Sequence, residues 1–491
     1  MGKTGVEISS DAHAYPRSSS WARLLHLPLQ LSERGFLLRV VDLVALNAGL
    51  LLSLSLRFKL PVDLWMIVRQ PWWFVVLTLL WFVAAQTFDS YDPRIIGLWP
   101  ESPIAAMKAG AFTAIVYLLI PRLTPPLPAS RIALLSFPLL VVALLFAGRA
   151  LSLLAFPKPL FQRRALILGV GSAAQTVAQL LTDARDRSYR VIGLVDDHPA
   201  RPAGSASIVS MAVPVLSIAD RERLLDLVVR DRVSTLILAV THTVDPDLMQ
   251  TILDCMELGV DVVPLPALYE TLTGRVPLEY IGDNWYAALP LQHPGTGALL
   301  QVGKRLVDIL LASGGLVVLG LLFPLVALAI SLDSPGPIFY AQDRVGKGGR
   351  SFRAYKFRSM VPDAEQGTAV WAQENDRRIS RVGKILRAAH VDEFPQFINV
   401  LKGEMSAVGP RPERPEFVEQ LAREIPFFRL RHAVKPGMAG WALVRFGYVA
   451  TKEDAAARLE YDLYYIKHQS AWLDVVILLK TILHTLAMKG R

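Results

Sequence analysis

LVDILLASGGLVVLGLLFPLVALA, Leu306 to Ala329, is the run on which the architecture turns. Its one charge is Asp308, and it is long enough to cross a hydrocarbon core, so apolar length alone reads it as a transmembrane helix with a proline kink. Pro324 offers a second reading, because proline removes a backbone donor and bends the helix, so that the segment enters one leaflet and returns. The choice rests on which side of the membrane the flanking regions occupy.

The 491 residues are 52% hydrophobic with a mean hydropathy of +0.36, which predicts a membrane protein of two or three domains. A net charge of +9 suits anionic headgroups and phosphorylated substrates, although topology alone also enriches Lys and Arg, and no nucleic-acid partner is expected. Cys255, the single cysteine, cannot form an internal disulfide and reads as core packing. Residues 1–30, polar and Ser-rich with Pro16, Arg17 and Arg23, read as a disordered cytoplasmic tail without a signal peptide.

Within residues 31–158, four apolar segments predict transmembrane helices at about Val40–Leu56, Trp72–Phe88, Ser102–Ile120 and Ile132–Gly148. Asp42 and Lys108 lie near segment ends, from which they can reach the interface. Lys3, Arg17, Arg23, Arg34, Arg39, Arg94, Lys108, Arg149, Lys158, Arg163 and Arg164 fall on one side, against Arg57, Lys59, Arg69, Arg122 and Arg131 on the other. Eleven against five puts the N-terminus and everything after residue 150 in the cytoplasm.

Residues 159–292 change texture. Short aliphatic runs at Ala165–Leu168, Val191–Leu194, Thr235–Val240 and Val260–Val263 alternate with amphipathic helical stretches, the pattern of a Rossmann-like α/β domain with a parallel sheet. Gly169-Val170-Gly171 opens a helix after the first strand, and Asp196 ends the second. That layout suits a nucleotide, and tight strand-to-helix packing alone also asks for such glycines. A connecting stretch with Trp285, Tyr286, Pro290 and Pro294 follows.

Residues 299–491 carry the chemistry. Val391-Asp392-Glu393-Phe394-Pro395-Gln396 places two carboxylates between Arg387 and Gly409-Pro410-Arg411-Pro412. An ionised Asp can act as a nucleophile, the adjacent Glu can hold Mg²⁺, and arginines can neutralise a diphosphate. If the pair stood alone, a solvated helix face would be the simpler reading. Arg387, five residues before Asp392, is expected a little over one helical turn away. Alternation in Phe352, Ala354, Lys356 and Arg358 predicts a strand with cations on one face, and Asp363-Ala364-Glu365 follows it. Activated phosphorylated donors are cytosolic, so this domain and the α/β domain before it belong on one side. That requirement makes residues 305–331 a re-entrant helix broken at Pro324. Ile425-Pro426-Phe427-Phe428-Arg429-Leu430-Arg431 mixes aromatic and basic residues as an interfacial surface would, or as the end of a core helix.

Residues 301–491 resemble the bacterial sugar transferase family, the monotopic polyprenyl-phosphate phosphoglycosyl transferases. The matching stretches are Lys304-Arg305 with Asp308, Ser334-Pro335-Gly336-Pro337, Lys356-Phe357-Arg358-Ser359-Met360, the acidic pair, Gly409-Pro410-Arg411-Pro412, Lys435-Pro436-Gly437 with Gly440-Trp441, and Tyr461-Asp462-Leu463-Tyr464-Tyr465-Ile466-Lys467. The preceding regions resemble the large subgroup, which initiates exopolysaccharide, capsule or O-antigen units. The resemblance implies a multi-pass protein of the bacterial inner membrane with its active site facing the cytoplasm, in which Asp392 attacks a UDP-sugar and UMP leaves. Undecaprenyl phosphate, at the inner-leaflet lipids, then takes the sugar phosphate. It further implies Mg²⁺ on Glu393, phosphate contacts from Arg411, Arg387, Lys356 and Arg358, and Lys304 and Arg305 near the polyprenyl phosphate. A homodimer and a UDP-glucose or UDP-galactose donor are expected on the same ground.

Val391 and Phe394 replace the family's usual Leu, which alters packing and leaves the chemistry alone. Met438-Ala439 and Leu443 stand where a Thr and a Gln are usual, and Arg445-Phe446-Gly447-Tyr448 replaces an Asn-Gly-Arg ending in a way that bears on sugar choice. A membrane-bound dehydratase-like enzyme competes with this reading. It would need a Tyr and Lys four apart in the α/β domain, and the one such pair, Tyr448 and Lys452, lies elsewhere. An inactive assembly scaffold would predict erosion of the acids or arginines.

Overall fold

The computed structural model describes residues 31–58, 65–92, 94–127, 130–155, 162–183, 189–196, 215–217, 221–240, 246–278, 297–361, 376, 378–447 and 451–486. The tail expected at residues 1–30, the stretch from Trp285 to Pro294, Asp363 to Glu365, and Tyr448 lie outside the described residues.

Four apolar segments form a bundle of α1 (Leu31–Phe58), α2 (Pro71–Thr87), α3 (Glu101–Leu119) and α4 (Arg131–Ala155). Its core interleaves large and small side chains, with Leu46, Leu77, Trp81, Tyr117 and Leu145 packed against Ala106 and Ala109. Gly110 is part of that fit, since a Cβ there would stand 2.5 Å from a methyl of Leu145. Asp42 does not reach an interface. It is fully buried against an equally buried Arg149, whose guanidinium reaches its carboxylate at 2.6 Å. Pairing is what allows both charges inside an apolar bundle.

The α/β unit is a five-stranded parallel sheet in the order β3-β2-β1-β4-β5, with strands Arg163–Leu168, Tyr189–Asp196, Val215–Ser217, Thr235–Leu238 and Asp261–Pro264 for β1 to β5. Helices α5 (Ser172–Asp183), α6 (Arg221–Arg230), α7 (Pro246–Glu257) and α8 (Leu265–Thr273) accompany it. Cores lie on both faces, and fully buried Cys255 sits in one of them.

The C-terminal unit begins with α9 (Ala298–Asp333), then a hairpin of β6 (Phe339–Val345) and β7 (Ser351–Phe357), and α10 (Arg381–Ala388). The 3-10 turn Val391–Gln396 leads into α11 (Phe397–Lys402) and β8 (Ser406–Val408). Then come α12 (Pro415–Glu424), a 3-10 turn Phe428–Ala433, β9 (Gly437–Ala439), α13 (Trp441–Arg445), α14 (Lys452–Lys467) and α15 (Ala471–Leu486). Val408, Leu421, Phe428, Leu459, Leu463 and Ile477 share its main core. Ile425, Phe428 and Arg431 are buried while Pro426, Phe427 and Arg429 are exposed, so one side of that segment belongs to the core and the other faces outward.

Among the described residues, four helical stretches are long and apolar enough to cross a membrane: Gly35–Leu56, Glu101–Leu119, Leu134–Ala155 and Leu300–Asp333, with Pro71–Thr87 shorter. Mixed α/β content and these helices make a membrane protein. The last stretch, α9, runs as one helix through Pro324, not as two helices separated by a break. At about 1.5 Å per residue its 36 residues are longer than a hydrocarbon core is thick. One face packs on the C-terminal unit along the whole length. Ala312 joins Val400 and Met405, and Leu319, Val326 and Ile330 join Phe357 and Leu386. Gly315 meets the Phe397 ring so closely that a Cβ would stand 2.3 Å from it. The opposite face, with Leu310, Val317, Leu321, Leu325, Leu328 and Leu332, is exposed and apolar.

Candidate active site

Asp392 and Glu393 lie in the 3-10 turn rather than on a continuation of α10. That helix stops at Ala388, and His390 adopts left-handed φ 53°, which redirects the chain. Arg387 and Asp392 therefore do not share a helix. Nor is the pair a solvated face, for Asp392 is 6% and Glu393 8% exposed.

The two acids are treated differently. Glu393 Oε1 accepts from Lys356 Nζ at 2.7 Å and Arg411 Nη2 at 2.5 Å, and its Oε2 accepts from Arg411 Nη1 at 3.1 Å. Burial pushes the Glu393 carboxyl up, but the Arg411 and Lys356 charges outweigh it and hold the group well below the usual carboxylate range. Asp392 accepts no side-chain or main-chain hydrogen bond from the described residues. Burial and the neighbouring Glu393 charge push it up to about 6, against the pull of Lys356, Arg387 and Arg411. Arg387 supplies a counterpart, a buried Nη1 that donates to nothing among the described residues. A buried carboxylate and a buried guanidinium nitrogen, both with bonding capacity unused, describe a place prepared for a polar, charged ligand.

Lys356 ends the buried face of β7 that begins with Phe352 and Ala354. Arg411 is held through its backbone. Its carbonyl accepts from Arg431 Nη2 at 3.0 Å, and the Pro412 carbonyl accepts from Arg344 Nη1 at 3.1 Å. Parallel pairing of β8 with β9 fixes the turn from the other side, with Gly437 N donating to the Pro410 carbonyl at 2.9 Å. A Cβ on Gly437 would lie 2.0 Å from Gly409 N, so two glycine-bearing motifs distant in sequence meet because neither carries a side chain.

Behind Arg411 lies a network that motif reading missed. Arg431 pairs with Asp462 at 2.7 Å, both nearly inaccessible, and Glu413 accepts from Arg458 at 3.0 Å. Each of these residues sits in or beside a quoted motif, but their pairing depends on the β8–β9 crossing, which no short pattern encodes.

Three expected phosphate contacts are engaged elsewhere. Lys304 donates to Asp474 at 2.6 Å and to the Val408 carbonyl at 3.1 Å. Arg305 caps α11 by donating to the Val400 and Leu401 carbonyls, each at 2.6 Å. Arg358 donates to the Ser334 carbonyl at 2.7 Å and the Pro335 carbonyl at 3.0 Å, closing the end of α9. These side chains pin the ends of α9 onto the domain, and Asp308 joins them by accepting from Ser406 Oγ and Ala407 N.

In the α/β unit, Gly169 has φ 116° and a Cβ there would lie 3.0 Å from the Ala239 carbonyl oxygen, so packing accounts for it. Gly171 has open space around it, and Asp196 ends β2. Arg445, expected to bear on sugar choice, instead pairs with Asp89 of the bundle at 2.9 Å.

Among the described residues, no three His, Cys, Asp or Glu side chains group as a self-sufficient metal site. Two adjacent carboxylates, one of them free of hydrogen bonds, fit Mg²⁺ only as an ion shared with substrate phosphates, which is how that ion is commonly held.

The acidic turn thus lies between a lysine and two arginines, in a protein whose helices include four long and apolar enough to cross a membrane. Residues 299–488 match the bacterial sugar transferase family. The UDP-N-acetylgalactosamine-undecaprenyl-phosphate N-acetylgalactosaminephosphotransferase of Aeromonas hydrophila is 47% identical over 228 residues, 46% of this chain and 53% of its own. The undecaprenyl-phosphate glucose phosphotransferase of Komagataeibacter xylinus is 33% identical over 354 residues, 70% of this chain and 63% of its own. The exopolysaccharide production protein PSS of Rhizobium leguminosarum bv. phaseoli is 40% identical over 192 residues, 37% of this chain and 94% of that protein. The chain thus spans somewhat over half the length of the first two relatives and nearly all of the third. It belongs to the bacterial sugar transferase family.

Proposed function

We propose that the protein transfers a sugar 1-phosphate from a UDP-sugar to undecaprenyl phosphate in two displacements at one phosphorus. The observation that carries this is the contrast at the acidic turn, a buried Asp392 carboxylate free of hydrogen bonds beside a Glu393 saturated by Lys356 and Arg411. The names of the relatives supply the substrate class, UDP-sugar and undecaprenyl phosphate.

In the first displacement an Asp392 oxygen forms a bond to the β-phosphorus. The bond from that phosphorus to the bridging oxygen breaks, and UMP leaves with the electron pair. Arg387, with its unused Nη1, and Arg411, fixed by Arg431, are placed to offset charge on the phosphoryl oxygens. In the second displacement an oxygen of the lipid phosphate attacks the same phosphorus and Asp392 departs as carboxylate. Asp392 and Glu393 are the residues that would hold Mg²⁺, which would supply further neutralisation of the diphosphate charge.

The catalytic unit sits on one leaflet in this reading, with the unbroken α9 lying in that leaflet by its apolar stripe. Support comes from α9 packing on that unit from Lys304 to Ile330, which leaves no length free to cross independently. The same support applies to a cytoplasmic site in the inner membrane, because the loop between α2 and α3 contacts the catalytic unit and basic residues crowd that side. The strand order 3-2-1-4-5 supports a Rossmann-like reading of the α/β unit.

The test uses full-length protein in nanodiscs with Mg²⁺, undecaprenyl phosphate and a panel of UDP-hexoses and UDP-N-acetylhexosamines. One donor is expected to release UMP and yield a lipid-linked sugar diphosphate. Release of UMP from none of them, or full turnover by Asp392→Asn, would end this proposal.

A further inference from the structure

The loop joining α2 to α3 carries contacts that neither the bundle core nor the acidic turn requires. Asp89 adopts φ 55°, a left-handed backbone unusual for a residue other than glycine. Both its oxygens point out of the bundle, one accepting from Arg445 Nη2 at 2.9 Å and the other from Lys480 Nζ at 2.6 Å. Asp92 adds a contact to Arg445 Nη1 at 3.7 Å. Tyr91, between them, turns inward, donating to Asp42 at 2.8 Å and accepting from Trp81 Nε1 at 3.0 Å. Asp42 is held by Arg149, which also donates to Ser102, so the loop is tied to all four bundle helices.

On the other side, the Arg445 guanidinium lies 4.6 Å over the Trp441 ring, and Trp441 Nε1 donates to the Gly274 carbonyl of the α/β unit at 2.9 Å. Bundle, α/β unit and catalytic unit therefore meet at α13. Through Gly440, α13 continues β9, whose pairing with β8 sets the turn that carries Arg411.

A helix lying in one leaflet by an apolar stripe has its depth fixed, but it can still roll about its own axis and swing in the membrane plane. A bundle of crossing helices has neither freedom. A contact between the two transfers the bundle's orientation to the catalytic unit. The Arg445 and Asp89 side chains are 22% and 31% exposed, while Lys480 is 9% exposed, so the contact lies at the edge of the packed surface rather than in a core.

We propose that Asp89 and Asp92 are positioning residues, which through Arg445 and Lys480 lock the catalytic unit's orientation against the bundle so that the acidic turn faces a phosphate carried by a membrane lipid. The inference rests on the two-displacement reading above. It predicts a selective defect, because a soluble donor reaches Asp392 in any orientation, whereas a phosphate anchored in the bilayer does not.

The experiment compares two readouts in nanodiscs. One is UMP released per enzyme without lipid acceptor, and the other is the KM for undecaprenyl phosphate in turnover. Asp89→Lys should raise that KM about tenfold while leaving the acceptor-free UMP release unchanged. The reciprocal swap Asp89→Lys with Arg445→Asp should recover most of the loss, and Asp89→Asn, the milder variant should the lysine fail to fold, should give a smaller rise. An unchanged KM in Asp89→Asn or Asp89→Lys overturns the proposal. So does a parallel loss of both readouts that the swap does not recover, which would make the contact merely structural. Wild-type protein that releases no UMP from any donor overturns the transfer reading instead, and the latch with it.

Discussion

Two of the buried acid–base clusters, one in the bundle and one at the acidic turn, are completed to different degrees. In the bundle, Asp42 receives Arg149 Nε at 2.9 Å, Arg149 Nη2 at 2.6 Å and the Tyr91 hydroxyl at 2.8 Å. At the acidic turn, Glu393 is saturated in the same manner, while Asp392 beside it is left without a donor and Arg387 without an acceptor for Nη1. Desolvation acts at both sites. In the bundle both Asp42 oxygens have protein donors, and the cluster works as a strut. At the turn part of the offset is withheld, which leaves one carboxylate poised to bond something that is not protein.

The contrast breaks most sharply under Asp392→Asn. It should lower UMP release by roughly ten-thousand-fold, whereas Asp42→Asn should leave the acceptor-free UMP release per folded molecule unchanged. Single-turnover assays on both variants decide it. Next in size, Arg149→Leu should destabilise the bundle by about 3–5 kcal/mol, because Asp42 is then buried alone. Replacing both residues with leucine should cost far less, and thermal unfolding in nanodiscs separates the two outcomes.

Arg411→Lys should slow UMP release about a hundredfold, since an ammonium cannot span both Glu393 oxygens, with circular dichroism unchanged. The pH profile sharpens the comparison further. Asp392 must be ionised to attack and its pKa is raised to about 6, so acceptor-free UMP release should fall on acidification through that value and plateau above it. Glu393, held low, stays ionised across that window. Stability moves the other way. A raised carboxyl contributes stability below its unfolded value and loses it as pH rises through about 6, so Asp392→Asn should melt higher than wild type at pH 8. The smallest effect belongs to Tyr91→Phe, which removes the hydrogen bonds to Asp42 and from Trp81 and should lower bundle stability by about 1–2 kcal/mol.

Much of this was legible in the sequence. Apolar length gave the bundle helices to within a few residues, except that α1 begins earlier and α4 runs on to Ala155, and aliphatic runs gave four of the five parallel strands. β3, Val215–Ser217, has only three residues and no period to read. The acidic pair and Arg411 were found as motifs, and Lys356 from strand alternation. What escaped were facts of pairing. Asp42 and Arg149 are 107 positions apart, so each read as an ordinary interfacial charge. Lys304, Arg305 and Arg358 have the charge of phosphate ligands, but their guanidinium and ammonium groups are spent on carbonyls and on Asp474 at the ends of α9. His390 hid the break in the helix, because a left-handed histidine carries no pattern that periodicity can detect.

The contact of Gly315 with the Phe397 ring has a consequence for transport. Phe397 directly follows Gln396 of the acidic turn, and with hydrogen in place of a side chain at residue 315 the turn rests directly on α9. The reacting carboxylate is thus separated from the apolar stripe by little more than the width of one helix, about 10 Å. On the transfer reading proposed above, an isoprenoid acceptor would present its phosphate there with its tail still dissolved in the leaflet. Lifting that tail into water would cost about 0.8 kcal/mol for each methylene exposed, and the close seat at Gly315 makes such extraction work unnecessary.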